Sequence, residues 1–192
     1  DHLQVDPRFG KLKDIIAFIE QARELGMQVI IELLIQHTSD AHPWFQQARR
    51  NPQSPFRDYY LWSDNDDDDT PPMFPGVARS IWSWDEEAGQ YYRHMFYRHE
   101  PDLNLASPAV LKEIDNIILF WLKLGVSGFR LDAASHLTKQ AGRGDEKKGL
   151  WILEHMRQLI EQHNPEAILL GEVDVEVEEY KDYFGDNDRL NL

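Results

Sequence analysis

Gly128-Phe-Arg-Leu-Asp132 is the stretch that decides the fold. Its apolar residues alternate with Arg130 and Asp132, which predicts a short strand with both charged side chains on one face. A polar loop over residues 138–148 and a helix over 150–160 are expected next. The apolar run Ala167-Ile-Leu-Leu-Gly171 then predicts a second strand, which ends at Glu172.

The residues before this stretch follow the same alternation. Ser107-Pro108 is a typical helix start, and Gly125 ends the helix that it begins. Residues 12–25 have helical periodicity, and the apolar run 28–35 is typical of a parallel strand covered on both faces. Alternating helices and strands indicate a parallel α/β fold, which leaves a (β/α)₈ barrel and an open doubly wound sheet as alternatives. Three strands cannot close a barrel by themselves.

Regular patterning stops between His37 and about Asn104, which is too long for an ordinary connection. We therefore predict an inserted, irregular subdomain. Its many aromatic rings suit either a core or a surface on which sugars stack. The acidic run Asp64–Asp69 lacks the glycine and glutamate of a calcium-binding EF-hand loop, so a solvated loop is the better interpretation.

Composition narrows the function classes. The formal net charge is -14 and the pI is about 4.9, which makes nucleic acid and anionic membranes poor partners. The absence of cysteine excludes disulfides, thiolate metal sites and a cysteine nucleophile, and it fits a cytoplasmic protein. No apolar run reaches the roughly 18 residues of a membrane span. Neutral sugars remain possible ligands.

Polar residues end the predicted strands, where parallel α/β folds place their active sites. His37, Arg130, Asp132 and Glu172 are therefore expected at one mouth. Neighbouring strands lie about 4.8 Å apart, so the carboxyls of Asp132 and Glu172 are predicted to be roughly 5 Å apart, as retaining glycosidases require. For each residue alone, an ion pair, a helix cap or a loop hydrogen bond is the commoner role.

The roles follow from the neighbours of each carboxyl. Arg130 lies two residues from Asp132 on the same face and is expected to keep that carboxylate ionised, as a nucleophile must be. Glu172 has no basic neighbour in the sequence. It is therefore the better candidate for the group that holds a proton and acts as the acid.

The same residues resemble motifs of the α-amylase superfamily of retaining glycoside hydrolases and transglycosylases. Within it, the segment 82–92 looks most like trehalose synthases, with α-glucosidases close behind. Five segments carry the resemblance, in family order and over nearly the whole chain: Val5–Gly10, Gln36–Ser39, Pro101–Asn104, Gly128–Asp132 and Gly171-Glu172.

The resemblance implies a partial (β/α)₈ barrel, about strands three to five, formed by residues 1–37 and 103–192, with an insertion at 38–102 after the third strand. It implies a retaining double displacement on α-linked glucose di- or oligosaccharides, favouring maltose/trehalose interconversion over α-1,4-glucosidase or amylase-type hydrolysis. A non-catalytic carbohydrate-binding relative is a further alternative. The 192 residues alone are expected to be inactive, because the first two strands and the final His-Asp motif of the family fall outside them.

The implied roles are attack by Asp132, acid/base work by Glu172, positioning by Arg130, and substrate binding by His37 and Phe129. No cofactor and no metal ligand is assigned. The family's third-strand motif has Asp and Asn where Glu32 and Gln36 stand here, which puts a structural calcium site at Gln36 in doubt. Glu100 stands where the family usually has Gln or Met, directly before the Pro101–Asn104 segment. Ala133, after the nucleophile, is typical of members acting on α-1,4 linkages. Oligomeric state is left open.

Overall fold

The structure is a computed structural model that describes residues 2–192. Its helices are α1 Leu12–Glu24, α2 Pro43–Arg50, α3 Pro108–Lys123, α4 Ala134–Ala141, α5 Glu146–Gly149, α6 Trp151–His163 and α7 Tyr180–Phe184. Its strands are β1 Ile30–Leu33, β2 Trp62–Ser63, β3 Trp82–Asp85, β4 Gln90–Arg93, β5 Gly128–Leu131 and β6 Ile168–Gly171. Two 3₁₀ turns are Arg57–Tyr59 and Val177–Glu179. The chain divides into two compact units: the residues up to Leu34 with Lys112–Leu192, and Ile35–Leu111.

The first unit contains a parallel sheet in the order β1-β5-β6. The register pairs Glu32 with Arg130, and Leu131 with Gly171. The predicted neighbours β5 and β6 are thus confirmed. Gly128 has a φ of 154°, and a Cβ atom there would collide with the backbone oxygen of Ile168. A glycine at the start of β5 therefore allows the two strands to approach each other closely.

Helices and strands of this unit share one apolar core. Fully buried side chains come from β5, β6 and three helices: Ile114, Ile118, Phe129, Leu131, Leu137, Ile152, Leu153, Met156, Ile160 and Leu169. Each such side chain contributes about 1.5–3 kcal/mol when it leaves water. The packing of this core therefore fixes the positions of the ends of β5 and β6.

The edges of the sheet differ. At the outer edge of β6, Gly171 N donates to Leu192 O at 2.9 Å and Asn191 N donates to Leu169 O at 2.8 Å. At the opposite edge, β1 comprises only four residues. The prediction that the run 28–35 is covered on both faces is wrong, because Ile30 and Leu34 are 39% and 44% exposed. The run has the composition of a central strand but lies at an edge of the described sheet.

The structure confirms the predicted helices that begin near residues 12, 108 and 150. The predicted polar loop at 138–148 is wrong, because α4 extends to Ala141 and α5 occupies Glu146–Gly149. The polar residues of this segment suggest a loop, but Leu137, Thr138 and Ala141 form a buried helical face. Asp145 then caps α5 by accepting a hydrogen bond from Lys148 N.

The second unit is more regular than predicted. It has an antiparallel sheet in the order β2-β4-β3 and the helix α2. The Phe45 ring lies 5.0 Å from that of Tyr60, 5.1 Å from that of Tyr92 and 5.6 Å from that of Trp62. These aromatic residues thus form a core. The predicted insertion, 38–102, lies wholly within this unit.

The acidic run belongs to this unit and is partly fixed. Asp68 accepts hydrogen bonds from Thr70 N at 2.9 Å and from Trp82 Nε1 at 3.0 Å. Asp64 accepts one from Gln90 Nε2 at 2.6 Å. Two carboxylates therefore tie the run to β3 and β4. Among residues 2–192, no helix has the length and apolar character needed to cross a bilayer.

Candidate active site

The guanidinium of Arg130 contacts three carboxylates at the carboxyl end of the parallel sheet. Its Nη1 donates to Asp132 Oδ1 at 2.7 Å and to Glu32 Oε1, and its Nη2 lies 3.0 Å from Glu172 Oε2. The central position of β5 explains this, because Arg130 can reach residues of both flanking strands. The hydrogen bond with Asp132 raises the pKa of Arg130, and the charges of Glu32 and Glu172 add to the shift.

Asp132 and Glu172 directly follow the register pair Leu131 and Gly171. Glu172 N donates to Leu131 O at 3.0 Å, which extends the strand pairing to this position. Both carboxylates contact the same guanidinium, so they lie on the same side of the sheet. The predicted separation of roughly 5 Å between the two carboxyls stays a prediction.

The structure corrects the expected contrast between the two carboxyls. In the sequence only Asp132 has a basic neighbour, but in the fold Arg130 contacts Glu172 as well. The side chains differ instead in exposure, since that of Asp132 is 33% exposed and that of Glu172 is 55% exposed. Accessibility, rather than a missing cation, is what distinguishes Glu172.

The turn after Asp132 is fastened to Glu172. Ala133 N lies 3.3 Å from Glu172 Oε2, and Ala134 N donates to Glu172 O at 2.8 Å. Ala133 adopts a left-handed conformation with φ 45° and ψ 47° as it begins α4. From the sequence, Ala133 is linked only to the choice of glycosidic linkage. Its main-chain contact with Glu172 could not be predicted, because side-chain patterns carry no signal for it.

Phe129 is predicted to bind substrate, and the structure contradicts this prediction. Its side chain is 0% exposed and belongs to the core of the first unit. It alternates along β5 with Arg130, whose side chain is at the site. The alternation that places Arg130 and Asp132 on one face therefore excludes Phe129 from that face.

His37 belongs to the second unit. There its backbone forms an antiparallel bridge with Asp102. Its Nε2 atom lies 4.0 Å from Glu100 Oε1, and its ring lies 5.8 Å from that of Phe96. The residue that departs from the family pattern, Glu100, is thus a direct neighbour of His37 within this unit.

Two further charged residues were missed by the sequence analysis. Glu32 contacts Arg130, and the register of β1 against β5 is the signal that could have revealed it. Asp102 is 0% exposed and forms an ion pair with Arg93. Burial raises the pKa of Asp102 to about 6, since removal from water disfavours the charged form.

Among residues 2–192 no three His, Asp or Glu side chains are grouped so that they could hold an ion. Gln36, where calcium was in doubt, is buried, and its backbone oxygen accepts a hydrogen bond from Leu103 N at 2.8 Å.

Comparison with known proteins identifies the family of the chain. Residues 1–192 match the model of the alpha amylase catalytic domain, and the chain belongs to that family. A trehalose synthase of Pimelobacter sp. is 38% identical over 193 residues, covering 98% of this chain and 34% of its own length. A probable alpha-glucosidase of Rhizobium meliloti is 44% identical over 137 residues, covering 69% and 24% respectively.

A solved structure extends the likeness to three dimensions. The trehalose-6-phosphate hydrolase of Bacillus licheniformis superposes with a TM-score of 0.87 at 24% identity, over 100% of this chain and 37% of that one. At this identity the superposition shows the fold. The chain spans about a third of the length of the Pimelobacter trehalose synthase. Both curated relatives carry enzyme names, a trehalose synthase and a probable alpha-glucosidase.

Proposed function

We propose that this chain forms the part of an α-glucoside enzyme that carries the nucleophile and the acid/base of a retaining double displacement. The observation that supports the proposal is the contact of Asp132 and Glu172 with the single guanidinium of Arg130, at the ends of adjacent parallel strands. A retaining enzyme needs two carboxyls about 5–5.5 Å apart on either side of the anomeric carbon.

The chemistry assigns one task to each residue. An oxygen of Asp132 attacks the anomeric carbon while the bond to the leaving oxygen breaks, and Glu172 gives its proton to that oxygen. In the second half, Glu172 takes a proton from water or from a sugar hydroxyl, which attacks the same carbon and releases Asp132. Arg130 pairs with Asp132 and Glu172 and offsets the negative charge of two neighbouring carboxylates.

We further propose that β1, β5 and β6 are strands three to five of a (β/α)₈ barrel. Residues 38–102, which lie within the second unit, are then the domain inserted after the third strand. In that arrangement His37 would bind the glucosyl ring, in keeping with its position in the Gln36–Ser39 motif.

Interconversion of maltose and trehalose is the reaction that we favour. The Pimelobacter trehalose synthase aligns with 98% of the chain, whereas the Rhizobium alpha-glucosidase aligns with 69%. Hydrolysis of α-1,4-glucosides is the second candidate, supported by the higher identity of that shorter alignment. A non-catalytic sugar-binding relative is the third.

Product analysis separates the three candidates. The complete enzyme that contains this chain is incubated with maltose, and products are followed by proton NMR at early times. Trehalose is expected as the main product, and glucose alone would indicate the glucosidase. With 4-nitrophenyl α-glucoside, whose only glucose comes from the cleaved anomeric centre, first-formed glucose of the β configuration would overturn retention. No turnover would indicate a binding protein, and Asp132→Asn provides the background rate.

A further inference from the structure

The turn between Asp132 and α4 has an unusual backbone. Ala133 lies in the left-handed region at φ 45° and ψ 47°, which residues with a Cβ atom seldom occupy. Such a conformation persists only where the surroundings determine it. Here it precedes the first helical residue of α4, and it turns two successive amides towards one neighbour.

That neighbour is Glu172. Ala133 N lies 3.3 Å from the carboxylate oxygen Oε2, and Ala134 N lies 2.8 Å from the main-chain oxygen. Successive amides in a left-handed then right-handed pair form a concave site that suits negative charge. The Ala133 amide thus contacts the side chain of Glu172, and the Ala134 amide donates a hydrogen bond to its main chain.

The same carboxylate oxygen also forms an ion pair. Arg130 Nη2 lies 3.0 Å from Glu172 Oε2, and through its Nη1 Arg130 also contacts Asp132 and Glu32. An oxygen that accepts a hydrogen bond from an amide and lies beside a guanidinium is a poor place for a proton, because an O–H hydrogen would point at other hydrogens and at a positive charge. Among the described residues, the other oxygen, Oε1, accepts no hydrogen bond and forms no ion pair.

We propose that the Ala133 N–H is a positioning group for the acid/base: with Arg130 it fixes Glu172 Oε2 as an acceptor and leaves Oε1 to deliver the proton. This inference rests on the proposed function, because it needs Glu172 as the acid. As the glycosidic bond breaks, the proton moves from Oε1 to the leaving oxygen, and the resulting carboxylate gains negative charge. The Ala133 N–H and the Arg130 guanidinium already face that charge, so both interactions strengthen towards the transition state.

The test removes the N–H without changing a side chain. In the complete enzyme, Ala133→lactate replaces the amide nitrogen by an ester oxygen. Ala134→lactate is the matched control, because it removes the neighbouring hydrogen bond, which reaches only the main chain of Glu172. Each variant is assayed on maltose and on 4-nitrophenyl α-glucoside, whose leaving group departs without a proton.

We expect Ala133→lactate to lose roughly tenfold in kcat/KM on maltose, a small part of the 10²–10⁴ that general acid catalysis contributes. The nitrophenyl substrate should lose no more than about twofold, since its reaction needs little acid assistance. The basic limb of the maltose pH profile should move to higher pH, because the carboxylate has lost a donor. In Ala134→lactate both substrates should fall by equal factors, with an unchanged profile.

Equal losses on both substrates in Ala133→lactate, or an unmoved basic limb, would show that this N–H only holds the turn. Should the ester variant not fold, the wild type gives a second measurement. The amide proton of Ala133, assigned with Ala133→Gly, should shift in NMR spectra along the basic limb and stay constant in Glu172→Gln. A flat titration would overturn the proposal. If instead the wild type turns over neither substrate, the proposed function itself fails.

Discussion

Glu172 Oε2 lies 3.0 Å from Nη2 of Arg130, a residue 42 positions earlier that also holds Asp132 at 2.7 Å. One guanidinium therefore joins the two groups that divide the proposed chemistry. A change in the position of Arg130 would therefore displace both the proposed nucleophile and the proposed acid/base.

Replacing Arg130 tests this joint role. Arg130→Lys keeps the charge, but an ammonium is a point charge that cannot reproduce the planar contacts with several carboxylates. We expect kcat of the complete enzyme to fall by about 10²-fold or more, in line with the cost of misplacing catalytic groups. Arg8→Lys is the control, since Arg8 is exposed and pairs only locally with Asp6. Wild-type kcat in Arg130→Lys would contradict the assignment.

The two carboxyls should respond differently to substitution. Asp132→Asn is expected to abolish turnover of every α-glucoside, because an amide cannot form the covalent intermediate. Glu172→Gln should lose most activity on maltose but retain more on 4-nitrophenyl α-glucoside, whose leaving group needs no acid. Steady-state rates on both substrates check this. If Glu172→Gln loses activity by the same factor on both substrates, relative to the wild type, Glu172 does not act as the acid.

The pair of Asp102 and Arg93 predicts a pH dependence of stability. Burial raises the pKa of Asp102 to about 6 from an ordinary value of 3.8. Between these values the folded state keeps a proton that the unfolded state has lost. The stabilisation from this proton is full below pH 3.8 and is lost as the pH rises through about 6, by at most about 3 kcal/mol.

Urea unfolding of the complete enzyme from pH 4 to pH 8 measures this effect. In Asp102→Asn the contribution should disappear, so that the unfolding free energy falls less steeply between pH 4 and pH 6 than in the wild type. Asp85→Asn is the matched control, because Asp85 is also buried and pairs with Arg49 at 2.8 Å. Identical slopes in Asp102→Asn and the wild type would exclude Asp102 as the titrating group.

The exposed strand β1 predicts the behaviour of the 192 residues on their own. Its apolar residue Ile30 lies at an edge of the sheet and is 39% exposed, which favours pairing with other chains. We expect this polypeptide to self-associate and to lack glycosidase activity. Light scattering should show less association for Ile30→Lys, which places a charge on the edge. Leu192→Lys, at the opposite side, is the comparison, and an active wild-type monomer would refute the prediction.

Linkage preference at Ala133 needs a test that accounts for backbone conformation. The family tendency predicts that the complete enzyme prefers maltose to isomaltose, and that Ala133→Val shifts kcat/KM towards isomaltose by a factor that corresponds to about 1–3 kcal/mol. However, a β-branched residue in the left-handed region is itself disfavoured by about 1–3 kcal/mol. Thermal unfolding should therefore show a lower Tm for Ala133→Val and no such loss for Ala133→Gly. If the valine variant loses stability with an unchanged substrate ratio, the residue serves the backbone and not linkage choice.

The frame of the first unit could be predicted from the sequence because its signals are local. Helical periodicity located α1, α3 and α6, and the apolar runs located β5 and β6. Two neighbouring parallel strands then brought Asp132 and Glu172 to one edge. Alternation along a strand is equally informative about Arg130, although the same rule should have excluded Phe129.

What could not be predicted depends on non-local contacts. The contact of Arg130 with Glu172 needs the strand order, and the contact with Glu32 needs the register of β1. Helix α4 is polar on its exposed side, so its buried face is visible only once the core is known. The antiparallel sheet of the second unit pairs the two-residue strand β2 with β4 across residues 64–89, and no single window contains that pairing.

Gly128 begins the strand that leads to the proposed nucleophile, Asp132, roughly 13 Å away at 3.3 Å per residue. A methyl group on this residue would strike the backbone of Ile168 and force β5 and β6 apart. The gap between two carboxyls decides whether a glycosidase attacks the sugar directly or admits a water molecule between. Under the proposed mechanism, the anomeric configuration of the product would therefore depend on the absence of a single carbon atom at the far end of the sheet.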